Sequence, residues 1–210
     1  MSEDYKIIVE HYESCLEKHG DNHYGCNWPN LEDLHIRFSI MLDILNFSPR
    51  KINKYLLLDF GCGTGLMLEY LNDNKINLFK YSGCDLSKKF ISVCETKYLK
   101  KKFIHLDIIK ERDKLNKFDF IIMNGVLTEK HILSFDDMWK YAQLLIKLVF
   151  EKAKIGLAFN VMSKHVQWER NDLFHLPFDM LANFLDRDVT RNYIFRNDYG
   201  LYEYTAYIYK

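Results

Sequence analysis

The feature that most constrains this chain is residues 55–65, which read Y-L-L-L-D-F-G-C-G-T-G. An apolar run ends in Asp59 and leads into glycines at alternate positions, Gly61, Gly63 and Gly65. A short apolar run closed by glycines is typical of a strand buried on both faces of a parallel sheet. The apolar spacing of residues 66–71 indicates a helix directly afterwards. The segment therefore predicts a strand, a tight turn and a helix start whose free N–H groups can meet a ligand.

The spacing of the glycines indicates which kind of nucleotide-binding turn this segment can form. The dinucleotide fingerprint G-x-G-x-x-G needs a glycine where this chain has Leu66. The phosphate-binding loop needs a Lys after its last glycine, and none follows Gly65. What remains is D-x-G-x-G-x-G, starting at Asp59, which resembles the first motif of the class I S-adenosylmethionine-dependent methyltransferases. The alternative is a tight strand-to-helix turn that binds nothing.

Three further positions match that family in order along the chain. Asp85 lies 20 residues beyond Gly65, where nucleotide-binding α/β folds place an acid that accepts hydrogen bonds from ribose hydroxyls. Asp107 ends a third predicted strand, although it could instead cap the following helix. Asn124 and Gly125 end a fourth strand. The cofactor-binding residues that the resemblance implies here are Asp59, Gly61, Cys62, Gly63, Thr64, Gly65, Asp85, Leu86, Asp107, Ile108, Asn124 and Gly125.

Strand and helix patterns alternate beyond the glycine turn, which is typical of a right-handed parallel sheet. Residues 155–162 form a fifth predicted strand, 136–152 and 177–185 form helices, and 189–197 and 201–209 form an antiparallel hairpin. We predict a doubly wound α/β fold with a mostly parallel seven-stranded sheet, helices on both faces and this C-terminal hairpin. In the last strand, the uncharged face is the predicted core face, and it comprises Tyr202, Tyr204, Ala206 and Ile208.

The chain is predicted to be one domain, residues 1–210, with a helical extension at 1–50 and a Rossmann-like core at 51–210. In the resembling family such an extension commonly covers the cofactor and helps to build the substrate pocket. Tyr24 and Trp28 are therefore predicted to face that pocket, and Arg37 is a hypothetical partner for the carboxylate of the cofactor. The alternative for Trp28 is that it only packs the extension onto the core.

The composition of the chain limits the kinds of molecule that it is expected to bind. Lys plus Arg and Asp plus Glu both number 29, so no basic field favours nucleic acid or an anionic membrane. No apolar run approaches the roughly 20 residues that span a bilayer. Five cysteines without C-x-x-C, and no signal peptide, favour a reducing cytoplasm. No metal is expected. A small-molecule acceptor is the expected partner, and a homodimer is compatible with the sequence.

The least generic stretch, residues 163–178, follows the fifth strand on the expected ligand side. Trp168 and Arg170 are predicted to line the acceptor pocket, where a guanidinium could bind an anionic group. A hydroxyl acceptor also needs a general base, and His165, His175 and His131 are the candidates. Each of these histidines could equally be a surface or packing residue.

The resemblance implies transfer of a methyl group from S-adenosylmethionine to an acceptor oxygen or nitrogen, which leaves S-adenosylhomocysteine. The run that begins at Asn124 lacks the Asn-Pro-Pro tetrad of methyltransferases that act on nucleic acid bases. The layout is similar to small bacterial methyltransferases of surface-polysaccharide and secondary metabolism, which implies a sugar, sugar nucleotide or phosphorylated metabolite as acceptor. The alternatives are a nicotinamide-dependent oxidoreductase, a non-catalytic methyltransferase-like binding subunit and a protein methyltransferase.

Overall fold

The computed structural model describes residues 5–48 and 50–210. Two helices form the N-terminal extension, α1 (Lys6–His19) and α2 (Leu31–Leu42). The later helices are α3 (Leu66–Asp73), α4 (Lys88–Lys97), α5 (Ile108–Glu111), α6 (Phe135–Lys152) and α7 (Phe178–Asp188). The strands are β1 (Tyr55–Phe60), β2 (Phe79–Asp85), β3 (Lys102–His105), β4 (Phe118–Met123), β5 (Ala153–Ser163), β6 (His175–Leu176), β7 (Tyr193–Arg196) and β8 (Glu203–Tyr209).

The main sheet has the strand order β3-β2-β1-β4-β5-β8-β7, and the short β6 pairs with β5. Strands β1 to β5 pair in parallel, while β8 is antiparallel to both β5 and β7. The predicted fold class is therefore confirmed. The chain leaves β1 toward β2 on one side and returns to β4 on the other. This reversal opens a crevice at the carboxyl ends of β1 and β4.

Strand β8 corrects the prediction of a single core face. Tyr204 and Ile208 pack in one hydrophobic cluster, and Tyr207 and Tyr209 pack in the cluster on the opposite side of the sheet. Tyr202, which was placed on the core face, precedes the strand and is 52% exposed. Both faces of β8 are buried because each is covered by a helical layer. The N-terminal extension packs on the face of Tyr207 and Tyr209, and α7 packs on the face of Tyr204 and Ile208.

Two short elements were missed, β6 and α5. Strand β6 has only two residues and falls in the stretch that was predicted as a loop. Helix α5 is one turn long, and its N-cap is Asp107, whose Oδ1 accepts a hydrogen bond from the backbone N–H of Ile109 at 3.1 Å. The capping alternative for Asp107 is therefore confirmed. The hairpin strand β7 is also shorter than the predicted 189–197.

Helix α1 lies across the carboxyl ends of the parallel strands. The Ser87 hydroxyl, just beyond β2, donates to Glu13 at 2.6 Å, and Lys89 pairs with Glu17 at 2.6 Å. The Tyr5 hydroxyl donates to Asp107 Oδ2, beyond β3, at 2.8 Å. These contacts hold α1 in place so that it covers the crevice. Within the described part of the chain, every helix is too short or too polar to cross a bilayer.

Candidate active site

A cleft opens at the carboxyl ends of β1, β2, β3 and β4, beneath α1. It encloses about 1150 Å³ of space that includes open solvent. The residues of the sequence-predicted cofactor set that line it are Asp59, Gly61, Cys62, Gly63, Asp85, Leu86, Asp107, Ile108, Asn124 and Gly125. The N-terminal extension contributes lining from Tyr5, Ile8, Val9, Tyr12, Cys26, Trp28 and Phe38.

The glycine turn needs glycine for two physical reasons. The φ values of these glycines are positive: +79° at Gly61, +52° at Gly63 and +85° at Gly65. Residues with a side chain rarely adopt such backbone conformations. A Cβ at Gly61 would also lie 2.5 Å from Val126 Cγ2. The backbone of the turn therefore faces the cleft directly. Thr64 and Gly65 belong to the turn but lie outside the lining residues, and Thr64 is fully buried beside the Cys26 Sγ.

The buried carboxyl group of Asp59 and the half-buried one of Asp85 lie behind this turn. Asp85 Oδ2 accepts from the backbone N–H of Gly63 at 2.9 Å, and Oδ1 accepts from that of Ser87 at 2.8 Å. Burial raises the pKa of Asp85, which those backbone donors lower in part. Asp59 accepts from the Tyr81 hydroxyl at 2.8 Å, and burial raises its pKa to about 7. Asp85 thus fixes the turn to the end of β2.

The far end of the cleft is closed by aromatic rings. The Tyr5 hydroxyl donates to Asp107, and the Tyr5 ring stacks on Tyr141 with centroids 5.3 Å apart. Ile108 follows Asp107 and lines the same wall. Asp107 therefore lines the cleft while it also caps α5. Its carboxylate lies where a donor on a bound ring could reach it.

The end of β4 supplies an unpaired acceptor. Asn124 lines the cleft, and its buried Oδ1 has no hydrogen-bond partner among residues 5–48 and 50–210. A buried amide oxygen of this kind favours a ligand that donates a hydrogen bond. The amino-acid and adenosine parts of S-adenosylmethionine both carry N–H donors. The acceptor oxygens of Asp85, Asp107 and Asn124 and the exposed backbone of the glycine turn therefore fit that cofactor.

Arg37 is not where it was predicted. Its Nε donates to Glu203 Oε2 at 2.8 Å, its guanidinium lies 4.9 Å from the Trp28 ring centroid, and it does not line the cleft. Glu203 is only 2% exposed and therefore needs a charge partner. Arg37 thus pairs with Glu203 rather than reaching a cofactor carboxylate.

Of the predicted pocket residues, only Trp28 lines the cleft. A Cβ at Gly125 would meet its ring at 2.6 Å. Tyr24 is 51% exposed and packs on neighbouring histidine rings. Trp168 packs on Tyr202, and Arg170 forms an ion pair with Asp172. Neither Trp168 nor Arg170 lines the cleft.

The three candidate histidines have different surroundings. His165 is exposed and stacks on Phe178 at 5.4 Å. His175 is buried, and its Nδ1 lies 2.6 Å from the carbonyl oxygen of Ser163 while its Nε2 accepts from the backbone of Arg170. This histidine therefore anchors the loop before β6. His131 lies outside the lining residues, but its ring centroid is 6.5 Å from that of Tyr12, which lines the cleft.

His131 belongs to a polar cluster that sequence reasoning missed. Its Nε2 lies 3.0 Å from Glu129 Oε2, and its ring centroid lies 4.3 Å from that of His11. Glu129 also interacts with the Tyr12 hydroxyl and accepts from Asn27 Nδ2 at 2.9 Å. The only sequence signal was an acid and a histidine two residues apart after β4. Their partners on α1 are remote in the sequence.

Burial controls the charges in this cluster. Burial, and then the nearby carboxylate of Asp172, raise the pKa of Glu129 to about 7. Burial and the neighbouring His11 lower the pKa of His131. Both groups therefore favour their neutral forms more than usual. Tyr12 links the cluster to the cleft, which it lines.

Comparisons with known proteins agree with this geometry. Residues 58–148 match a family model described as a methyltransferase domain. A protein of Mycobacterium tuberculosis named as a methyltransferase, Rv1506c, is 23% identical over 155 residues, which cover 72% of this chain and 91% of that protein.

The fold is also similar to solved structures. Magnesium protoporphyrin IX methyltransferase from Synechocystis, solved with bound S-adenosylmethionine, is 14% identical with a TM-score of 0.65, and the match covers 100% of this chain and 98% of that one. The plantazolicin methyltransferase BpumL is 15% identical with a TM-score of 0.60, and the match covers 100% and 99%. Residues 58–148 therefore match a methyltransferase domain, and the fold of the chain is that of S-adenosylmethionine-dependent methyltransferases.

Proposed function

We propose that the enzyme methylates an oxygen or nitrogen atom of a small polar metabolite that enters the cleft beside Trp28 and Tyr12. S-adenosylmethionine, when bound, supplies a methyl group on a sulfonium that is a good leaving group. The observation that supports this site best is the convergence of the glycine turn, Asp85 and the unpaired Asn124 oxygen on one cleft.

We assign the binding roles as follows. Gly61 and Gly63 let the ligand approach the backbone. Asp85 accepts hydrogen bonds from hydroxyl groups, and Asp107 and Asn124 accept them from N–H groups at opposite ends of the cleft. Such fixed contacts align donor and acceptor, and alignment can contribute on the order of 7–11 kcal/mol to lowering a barrier.

The acceptor end is assigned to the side that Tyr12 and Trp28 line. Tyr12 connects that side to the Glu129–His131 pair, which we assign as the group that takes a proton from a hydroxyl acceptor. A positioned base contributes about 10²–10⁴-fold to the rate for a hydroxyl acceptor. Among the three predicted histidines, His131 is the one retained in this role.

We propose a sugar, sugar nucleotide or related phosphorylated precursor as the acceptor. The chain has no excess of positive charge for a nucleic acid, with 29 basic and 29 acidic residues. The names of the structural neighbours give magnesium protoporphyrin IX and plantazolicin as the compounds with which those enzymes are associated. Residues 1–50 are proposed as the lid of a single domain. The free state of all five cysteines supports a reducing cytoplasm.

The test begins with calorimetric titration of S-adenosylmethionine and S-adenosylhomocysteine, with NAD as the control ligand. We expect both adenosyl compounds to bind and NAD not to bind. Methyl transfer from labelled cofactor is then measured with sugar phosphates, sugar nucleotides and a peptide mixture, and products are identified by mass. Suppose that the cofactor binds, that no small molecule is methylated and that peptides in the mixture become labelled. That result would replace the small-metabolite proposal by a protein methyltransferase.

A further inference from the structure

Two histidines and a glutamate meet beside the acceptor end of the cleft. His11 comes from α1, and Glu129 and His131 come from the loop between β4 and α6. One ligand atom from each of the three lies within 4.8 Å of the other two. Two imidazoles and one carboxylate are a donor set that divalent transition metals prefer, whereas Mg²⁺ and Ca²⁺ prefer oxygen alone.

Two atoms of this cluster lack the hydrogen bonds that buried polar atoms normally have. Glu129 Oε2 and His131 Nε2 are both buried, and neither has a hydrogen-bond partner among the described residues. They nevertheless face each other at 3.0 Å. Two ligand atoms that each lie about 2.0–2.2 Å from one zinc ion are about 2.8–3.6 Å apart at coordination angles of about 90–110°. The pair is therefore spaced for a shared cation.

The backbone and neighbours hold these side chains in place. His131 has φ of +48°, a conformation that is costly for a residue with a Cβ and is kept where the surroundings impose it. The backbone N–H groups of Lys130 and His131 both donate to the carbonyl oxygen of Asp172, at 2.8 and 3.0 Å. Asn27 binds the other carboxylate oxygen of Glu129 at 2.9 Å, as a neighbour that orients a metal ligand would.

We propose that His11, Glu129 and His131 bind a divalent transition metal ion of the Zn²⁺ class. Three protein ligands leave a coordination position open, as in catalytic zinc sites. Tyr12 interacts with Glu129 and lines the cleft, so the open position lies close to the acceptor end. An acceptor oxygen completes the coordination there, and in the metal-bound enzyme Glu129 and His131 serve as ligands instead of taking the proton. This last statement rests on the proposed function, whereas metal binding itself does not.

The experiment uses the full chain, freed of metal by chelator and dialysis. Co²⁺ is titrated in as a coloured probe, and Zn²⁺ is then added in competition. We expect a single equivalent of Co²⁺ to give visible d–d absorption of a four- or five-coordinate site, and Zn²⁺ to displace it. The variants are His11→Ala, Glu129→Gln and His131→Ala, each expected to weaken Co²⁺ binding at least about tenfold. His19→Ala is the matched control, because His19 is exposed on the same helix outside the cluster.

Each outcome decides the proposal. Wild-type absorption no stronger than that of an aquo ion overturns it, as does equal Co²⁺ affinity in wild type, His11→Ala and Glu129→Gln. Titration with S-adenosylhomocysteine in each variant checks the fold independently of the metal. Co²⁺ binding without binding of the adenosyl compound would refute the proposed function and leave the metal site. Loss of turnover in Glu129→Gln, with no Co²⁺ binding in wild type, would assign Glu129 as a base acting without metal.

Discussion

The side-chain oxygen of Asn160 accepts a hydrogen bond from the backbone N–H of Gly125 at 2.8 Å, which ties β5 to the end of β4. The amide nitrogen of Asn160 donates to Glu203, also at 2.8 Å, and Glu203 accepts from Arg37. A buried series of polar groups therefore runs from α2, through two strands, to the loop that lines the cleft.

Removing Arg37 should destabilise the protein strongly. In Arg37→Ala the buried Glu203 loses its charge partner, and we expect the free energy of unfolding to fall by about 3–5 kcal/mol in urea titrations. Adding Glu203→Gln to that variant should recover part of the loss, because a neutral amide needs no counter-charge and can still accept from Asn160. Equal stability of the single and double variants would contradict the assignment.

Asp85→Ala should weaken binding of S-adenosylhomocysteine. The substitution removes the acceptor of two backbone N–H groups that hold the glycine turn, and it removes a carboxylate from the cleft. Losing charge-assisted hydrogen bonds of about 1–3 kcal/mol corresponds to roughly a 10- to 100-fold loss of affinity by calorimetry. Asp113→Ala is the control, since the Asp113 side chain is 95% exposed. A similar affinity in both variants would refute the role.

Gly61→Ala and Gly200→Ala separate backbone strain from steric exclusion. Their φ values are nearly equal, at +79° and +75°, but a Cβ at Gly200 meets nothing within 4 Å, whereas one at Gly61 lies 2.5 Å from Val126 Cγ2. We expect Gly200→Ala to lose about 1–2 kcal/mol of stability, from strain alone. Gly61→Ala should lose more and also bind cofactor poorly. Val126→Ala in the Gly61→Ala background should restore part of the stability, and no restoration would show that the contact is unimportant.

Asp59 should make the protein less stable as the pH rises. Burial raises its folded-state pKa from 3.8 to about 7, so the folded state holds a proton that the unfolded state has already lost. This contribution to stability is fully present below about pH 4 and is lost between about pH 4 and pH 7. At about 1.4 kcal/mol per unit, the total is at most about 4 kcal/mol.

The measurement is urea unfolding of wild type and Asp59→Asn at pH 5 and pH 8. The Asn oxygen can still accept from the Tyr81 hydroxyl, so the variant should gain stability relative to wild type on going to pH 8. A constant difference between the two proteins at both pH values would show that Asp59 does not titrate in this range.

His175→Ala should affect stability rather than proton transfer. Its ring joins the Ser163 carbonyl to the backbone N–H of Arg170, so its removal leaves buried groups unpaired at a cost of about 1–3 kcal/mol. The pH profile of methyl transfer should keep its shape. The exposed His165→Ala is the matched control and should change neither quantity. A shifted pH profile in His175→Ala alone would return that residue to the list of bases.

The sequence predicted the parts of the site that local pattern determines. Short segments determine the spacing of the glycines, the acid that ends a strand and the separation of Asp59 from Asp85. Asp59, Gly61, Gly63 and Asp85 all line the cleft. The strand alternation also predicted the parallel sheet. Element bounds were less accurate, because β6 is only two residues long and carries no periodicity.

What the sequence could not predict depends on how distant segments dock. Arg37 and Glu203 are 166 residues apart, and only the placement of α2 against β8 makes them partners. His11 meets His131 in the same way, because α1 lies over the strand ends. The two-sided burial of β8 depends on α7 and the N-terminal extension packing on its opposite faces, which its own alternation does not reveal.

The interior position of β8 has a consequence for folding during synthesis. The hydroxyls of Tyr207 and Tyr209 donate to the backbone carbonyls of Ile40 and Ile44, so the N-terminal extension docks on a strand made long after it. Strands β1 to β5 leave the ribosome with the edge of β5 still unpaired, and such an edge can pair with another chain. The interval before β8 arrives is therefore the period when the nascent chain most needs a chaperone.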